Sequence, residues 1–115
     1  MDPTCVFCRI IARETPASII HQDDHVIAFL DRHPAAPIHI LIVPIDHISS
    51  INQLTVENKG LIAHMFVVAK QLATENSIAE SGFRLIINNG PDANQTVYHL
   101  HLHLLGGNPM RYPMG

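Results

Sequence analysis

The stretch Tyr98-His99-Leu100-His101-Leu102-His103-Leu104-Leu105-Gly106-Gly107 alternates three imidazoles with leucines near the end of the chain. Alternation of period two predicts a strand. Side chains two apart leave the same face, so His99, His101 and His103 form one row and Leu100, Leu102 and Leu104 another. The leucine row belongs in a core. The imidazole row is a poor structural choice, because aligned rings lose hydration and repel one another once protonated. Neutral imidazole is a nucleophile, a proton carrier and a metal ligand near neutral pH, and three in register can divide those tasks.

Working outward, Val6 to Arg13 carries apolar residues at helical spacing and stops before Pro16, which predicts a short first helix. Ser18 to His21 and His25 to Leu30 flank a polar turn and predict a hairpin, and Ile38 to Val43 is a third β-branched run closed by Pro44. From Thr55 to about Glu80 the period changes to that of an amphipathic helix, with Thr55 as its cap and Gly82 just past its end. Phe83 to Asn89 reads as a fourth strand, Gly90 to Gln95 as a loop, and Val97 to Leu105 as the histidine strand. The sum is α+β: about five strands in a mainly antiparallel sheet, one short N-terminal helix and one long one. The long helix crosses one sheet face and covers the leucines of the last strand.

With 115 residues, 47% of them hydrophobic and 15% charged, the expectation is one domain, 1–115, with a full core. A formal charge of −3 argues against a nucleic-acid polymer or an anionic membrane as partner, while leaving room for a small phosphorylated ligand. No apolar run is long enough to span a bilayer, and a cytoplasmic protein is expected. Two cysteines, spaced Cys5-Val6-Phe7-Cys8, do not make a disulfide scaffold; they read as a metal half-site, a redox pair or ordinary core residues.

His99 to Leu105 also matches the signature His-x-His-x-His followed by two apolar residues, and the chain resembles the histidine-triad (HIT) superfamily. The likeness takes in Ile38-His39-Ile40-Leu41-Ile42-Val43-Pro44, Asp46-His47-Ile48, Asn88 and Gln95-Thr96-Val97-Tyr98, and the ending Gly106 to Pro113 is similar to the Hint branch. That branch implies a HIT-like fold, a homodimer, and hydrolysis of the P–N bond of purine nucleoside phosphoramidates, AMP or GMP joined to an amine, through a nucleotidyl-histidine intermediate. It makes His101 the nucleophile, with His103, Asn88 and Thr96 acting on the phosphoryl group and His39 in support. Asp31 would accept from the ribose hydroxyls. Val6, Phe7, Ile10 and Phe29 would wall the purine, and Gln95 stands with the substrate residues. No cofactor is implied for the chemistry.

Imidazole suits the role, being largely unprotonated at pH 7 yet able to leave from phosphorus. Its ring must be held in one tautomer, most simply by a backbone carbonyl, since the motif offers no carboxylate. The resemblance further implies a structural Zn²⁺ on Cys5, Cys8, His47 and His99, a closed set of two thiolates and two imidazoles. His47 lies too far from the cysteines for a DNA-binding zinc finger.

The chain departs from the branch at Ala93-Asn94, where a glycine pair is usual, at Arg32, where an apolar residue is common, at Thr96 for serine, and at Tyr112, where a larger aromatic packs near the partner. The alternatives are dinucleoside polyphosphate hydrolysis or nucleotidyl transfer using the same His101, and a zinc-stabilised nucleotide-binding module with little turnover.

Overall fold

The computed structural model describes residues 2–111; Tyr112 and the residues after it lie outside the described residues. Their elements run α1 (Val6–Ile11), β1 (Ile19–Gln22), β2 (Val26–Leu30), β3 (Ile38–Pro44), α2 (Lys59–Glu75), β4 (Phe83–Ile86) and β5 (Leu102–Gly106). The five strands form one sheet in the order β1-β2-β3-β5-β4, and every neighbouring pair is antiparallel. β3 and β4 therefore run parallel with β5 between them. A parallel return needs a crossover, and α2 supplies it.

Period two in the central strands sorts the side chains between two cores. Val26, Ala28, Ile40, Ile42, Leu100, Leu102 and Leu104 meet Met65, Val68, Ala69 and Leu72 of α2 on one face. Ile27, Phe29, Leu41 and Val43 meet Phe7, Cys8 and Ile10 of α1 on the other. The leucines thus lie under α2, as their alternation requires, and the histidines turn to the face that α1 covers only in part. No helix among the described residues is long and apolar enough to cross a membrane.

Several boundaries differ from the sequence expectation for local reasons. The histidine strand enters the ladder only at Leu102, so His99 and His101 lie before it, outside the strand. The register that sets Ile42 opposite Leu102 would set Leu100 opposite Pro44, which has no N–H to give. Leu100 N–H turns instead to the Ile48 carbonyl at 2.6 Å. The long helix starts with a 3₁₀ turn, Val56–Asn58, capped by Thr55 with Asn58 returning a bond to the Thr55 backbone. It ends at Glu75, well short of Gly82, because the Asn76 amide takes the Leu72 carbonyl and Ser77 adopts a left-handed φ of 61°. Arg13, at φ 64°, likewise stops α1 after Ile11. β4 closes at Ile86 rather than Asn89.

Candidate active site

Diagonal placement on antiparallel strands builds the site. Leu41 faces His103 across the β3–β5 ladder and His39 faces Leu105, so His39 and His103 are diagonal neighbours on one sheet face. His39 Nε2 lies 2.9 Å from His103 Nδ1 and 3.3 Å from Asp31 Oδ2. The next ring, His101, stands 4.9 Å from His103 centre to centre, and Phe7 meets it edge-on at 5.1 Å.

Hydrogen bonding assigns each ring its tautomer. A carbonyl can only accept, so His101 Nδ1, 2.7 Å from the His99 carbonyl, carries the proton and Nε2 keeps the lone pair. The backbone acceptor expected from the motif is thus supplied two residues upstream. His39 Nδ1 accepts the Ala35 N–H at 3.0 Å, which places the neutral ring's proton on Nε2, facing His103 Nδ1. His103 must then carry its proton on Nε2, and that buried nitrogen has no partner. An orphan donor beside a lone pair is the arrangement a phosphoryl group requires.

Burial holds these rings neutral. Desolvation pulls His101 and His39 below the ordinary imidazole value and takes His103 to about 4, although the Asp31 charge opposes the shift in all three. Asp31, His39 and His103 are close enough for their ligand atoms to share a cation. The Ala35 N–H argues against it, because it occupies His39 Nδ1 and leaves Nε2 protonated.

His101 and His103 open into a cleft of about 350 Å³ whose lining includes Val6, Phe7, Ile10, Phe29, Asp31, Thr96, Pro16 and Arg32. Its volume falls within the range of small-ligand sites. The predicted wall and the polar residues are therefore together, and Arg32, marked only as a departure, joins them. His39 lies behind His103, outside the lining. Asn88 also falls outside it, two residues past Ile86, the partner of His103. Gln95 is buried and its amide is committed: Oε1 accepts from Gly90 N–H, and Nε2 donates to the Ser49 and Val97 carbonyls. It shapes the loop rather than facing the cleft. Asn94 takes a left-handed φ of 62°, the conformation that asparagine tolerates where glycine is usual.

Beside the cleft, Cys5, Cys8, His47 and His99 converge. Cys5 caps α1, its sulfur accepting from Cys8 N–H, which turns both thiols the same way. Cys5 Sγ and Cys8 Sγ lie 3.3 and 3.6 Å from His99 Nδ1, and Cys8 Sγ lies 3.3 Å from His47 Nδ1. Tetrahedral zinc with ordinary Zn–S and Zn–N bonds needs sulfur–nitrogen separations of about 3.6 Å, so the set fits. Both cysteines are free thiols. His99 Nε2 donates to the Pro44 carbonyl at 2.8 Å, leaving Nδ1 as the ligand atom, the outer support that metal-bound histidines have. The four residues could hold a metal.

Fold and site together define the HIT-like α+β class: an antiparallel sheet whose histidine row faces an apolar-walled cleft. A family profile for the C-terminal binding domain of the scavenger mRNA decapping enzyme matches residues 4–112. The purine nucleoside phosphoramidase of Escherichia coli is 46% identical over 110 residues, 96% of this chain and 92% of that protein. A HIT family hydrolase from Clostridium thermocellum superposes with a TM-score of 0.96 at 43% identity over the whole of both chains. A zinc-bound histidine triad family protein from Mycobacterium smegmatis gives 0.80 at 30% identity, over 94% of this chain and 78% of that one. The chain belongs to the histidine-triad superfamily.

Proposed function

We propose that this protein hydrolyses the P–N bond of purine nucleoside phosphoramidates through a nucleotide covalently held on His101. The observation that carries the reading is the His101 ring itself. Its Nδ1–H is held by the His99 carbonyl, and its unprotonated Nε2 faces the cleft. Attack of that lone pair on phosphorus breaks the P–N bond, and the amine leaves with the electron pair and takes up a proton. The ring in the adduct is cationic, and the same carbonyl stabilises its remaining N–H. Water then attacks phosphorus, the N–P bond breaks, and the nucleoside monophosphate leaves.

His103 offers its orphan Nε2–H to an oxygen on phosphorus. The ring is neutral in the free protein, and with Nδ1 accepting from His39 it has this one N–H to offer the phosphoryl group. Thr96 contributes its hydroxyl at the cleft, Asp31 accepts from the ribose, and Val6, Phe7, Ile10 and Phe29 receive the base. Zinc on Cys5, Cys8, His47 and His99 would tie α1 to the sheet and take no part in the reaction. Pairing of two copies has apolar surface to use, with Phe66 and Val67 of α2 and Phe83 of the edge strand β4 exposed. Sedimentation at micromolar concentration is expected to show a dimer.

The test is rapid quench after mixing with an adenosine phosphoramidate, followed by peptide mass spectrometry. A nucleotidyl adduct on His101 is expected, and turnover with the adduct elsewhere or absent overturns the reading. Faster cleavage of a diadenosine polyphosphate than of the phosphoramidate would move the protein to the other hydrolytic branch.

A further inference from the structure

Phosphorus must sit at His101 and His103, whose rings stand 4.9 Å apart in the cleft lining. From His103 the contacts lead 2.9 Å to His39 and 3.3 Å on to Asp31. Arg32 follows Asp31, and its guanidinium donates to the carbonyl of Pro16, another lining residue, at 3.4 Å. Asp31 and Arg32 both line the cleft with His101 and His103, so a ligand with its phosphate at His101 and its sugar at Asp31 has Arg32 next to the sugar and within reach of its base.

Arg32 is the only lysine or arginine among the residues that line the cleft. It is exposed, and its bond to Pro16 is longer than the usual range of about 2.7–3.2 Å, so the guanidinium is readily exchanged to a ligand. A guanidinium is a planar fork of donors with no acceptor. Guanine presents two acceptors, O6 and N7, on one edge, whereas adenine puts an amino donor in place of O6. The fork matches the first and meets a donor with a donor in the second.

We infer that Arg32 reads the base and makes this cleft prefer guanine nucleotides to adenine nucleotides. The inference rests on the nucleotide reading given under the proposed function. It needs no change in the chemistry at His101.

The experiment compares kcat/KM for guanosine, inosine and adenosine 5′-phosphoramidates of one amine, together with the Kd of GMP and AMP, which requires no turnover. Guanosine and inosine, which share O6 and N7, are expected to exceed adenosine by about tenfold. Arg32→Met, which keeps the apolar stem, should bring the ratio to within about twofold of one, and Arg32→Lys should keep only part of the preference because it lacks the fork. A ratio of one in the parent, or a preference unchanged in Arg32→Met with an unaltered melting temperature, overturns the inference. If no phosphoramidate is hydrolysed, the hydrolase reading fails by itself. GMP binding about tenfold tighter than AMP, and lost in Arg32→Met, would still support the role of Arg32, and equal or absent binding would end it.

Discussion

His99 and His101 are two residues apart on one face of one segment, and they present opposite nitrogens. His99 gives its Nε2–H to the Pro44 carbonyl and turns Nδ1 toward two thiols. His101 gives its Nδ1–H to the His99 carbonyl and turns Nε2 toward the cleft. One side-chain type offers a bare Nδ1 to thiols in one place and a bare Nε2 to a cleft in the next because a different backbone oxygen claims a different nitrogen. Chemistry here is assigned by acceptors that carry no side-chain identity.

The sharpest way to break the comparison is to remove each ring's function separately. His101→Ala should abolish turnover, by about ten-thousandfold or more in kcat, while leaving metal content and melting temperature near the parent's. Residual activity within about tenfold of the parent would place the nucleophile elsewhere. Cys8→Ser attacks the other region. Elemental analysis of the parent, purified without added zinc, should give about one equivalent of metal. The variant should lose it together with roughly 3 kcal/mol of stability, since a closed site contributes to folding directly. Its kcat should fall by only about tenfold, because the metal holds the ring whose carbonyl orients His101. Under about one-tenth equivalent in the parent would remove the metal from the picture.

A smaller effect tests the third ring. His39→Leu deletes the donor that fixes His103 with its proton on Nε2. A loss in kcat of about a hundredfold with little change in KM is expected, as for removal of a group that orients an acid or donor. An unchanged kcat would show that His103 keeps its orientation without His39.

The architecture was readable in the sequence because period two and period 3.6 are both pronounced. The alternation at Leu100, Leu102 and Leu104 correctly assigned a core face, and the β-branched run Ile38 to Val43 a strand, which the structure extends to Pro44. Element ends were less readable. Ser77 and Arg13 in left-handed conformations announce themselves by no glycine, and the ladder stops before His101 through a proline on another strand. Of the site, the residue types at 31, 39, 101 and 103 could be named in advance. The Ala35 N–H, the Pro44 carbonyl and the His99 carbonyl could not be located, since backbone groups are the same at every position and only tertiary structure aims them. Gln95, grouped with the substrate residues, spends its side-chain bonds on the backbone of Gly90, Val97 and Ser49, which its residue type does not announce.

The mildest test uses protons to distinguish the regions. A histidine that is neutral in the folded protein but ordinary when unfolded binds fewer protons native than unfolded, so its contribution falls as pH drops. For His103 the window runs from the ordinary 6.5 down to about 4. Above it, neither state is charged and nothing is lost; below it, both are charged and the loss levels off. The slope per group cannot exceed about 1.4 kcal/mol per pH unit, and solvent at the cleft keeps it lower. Asp23, whose carboxyl two histidines and two backbone N–H groups hold well below its ordinary 3.8, affects stability only under that value and does not confuse the window. Denaturant midpoints at pH 7.5, 6 and 5 should therefore decline, and His103→Asn should decline less steeply than the parent, having one such ring fewer. A metal-loaded protein should decline more steeply than the chelated one, because the unfolded chain's two thiols and its imidazoles take up protons that metal-bound ligands cannot. Equal slopes in parent and His103→Asn would mean that His103 titrates alike in the folded and unfolded chain, and burial could not then be what keeps the ring neutral.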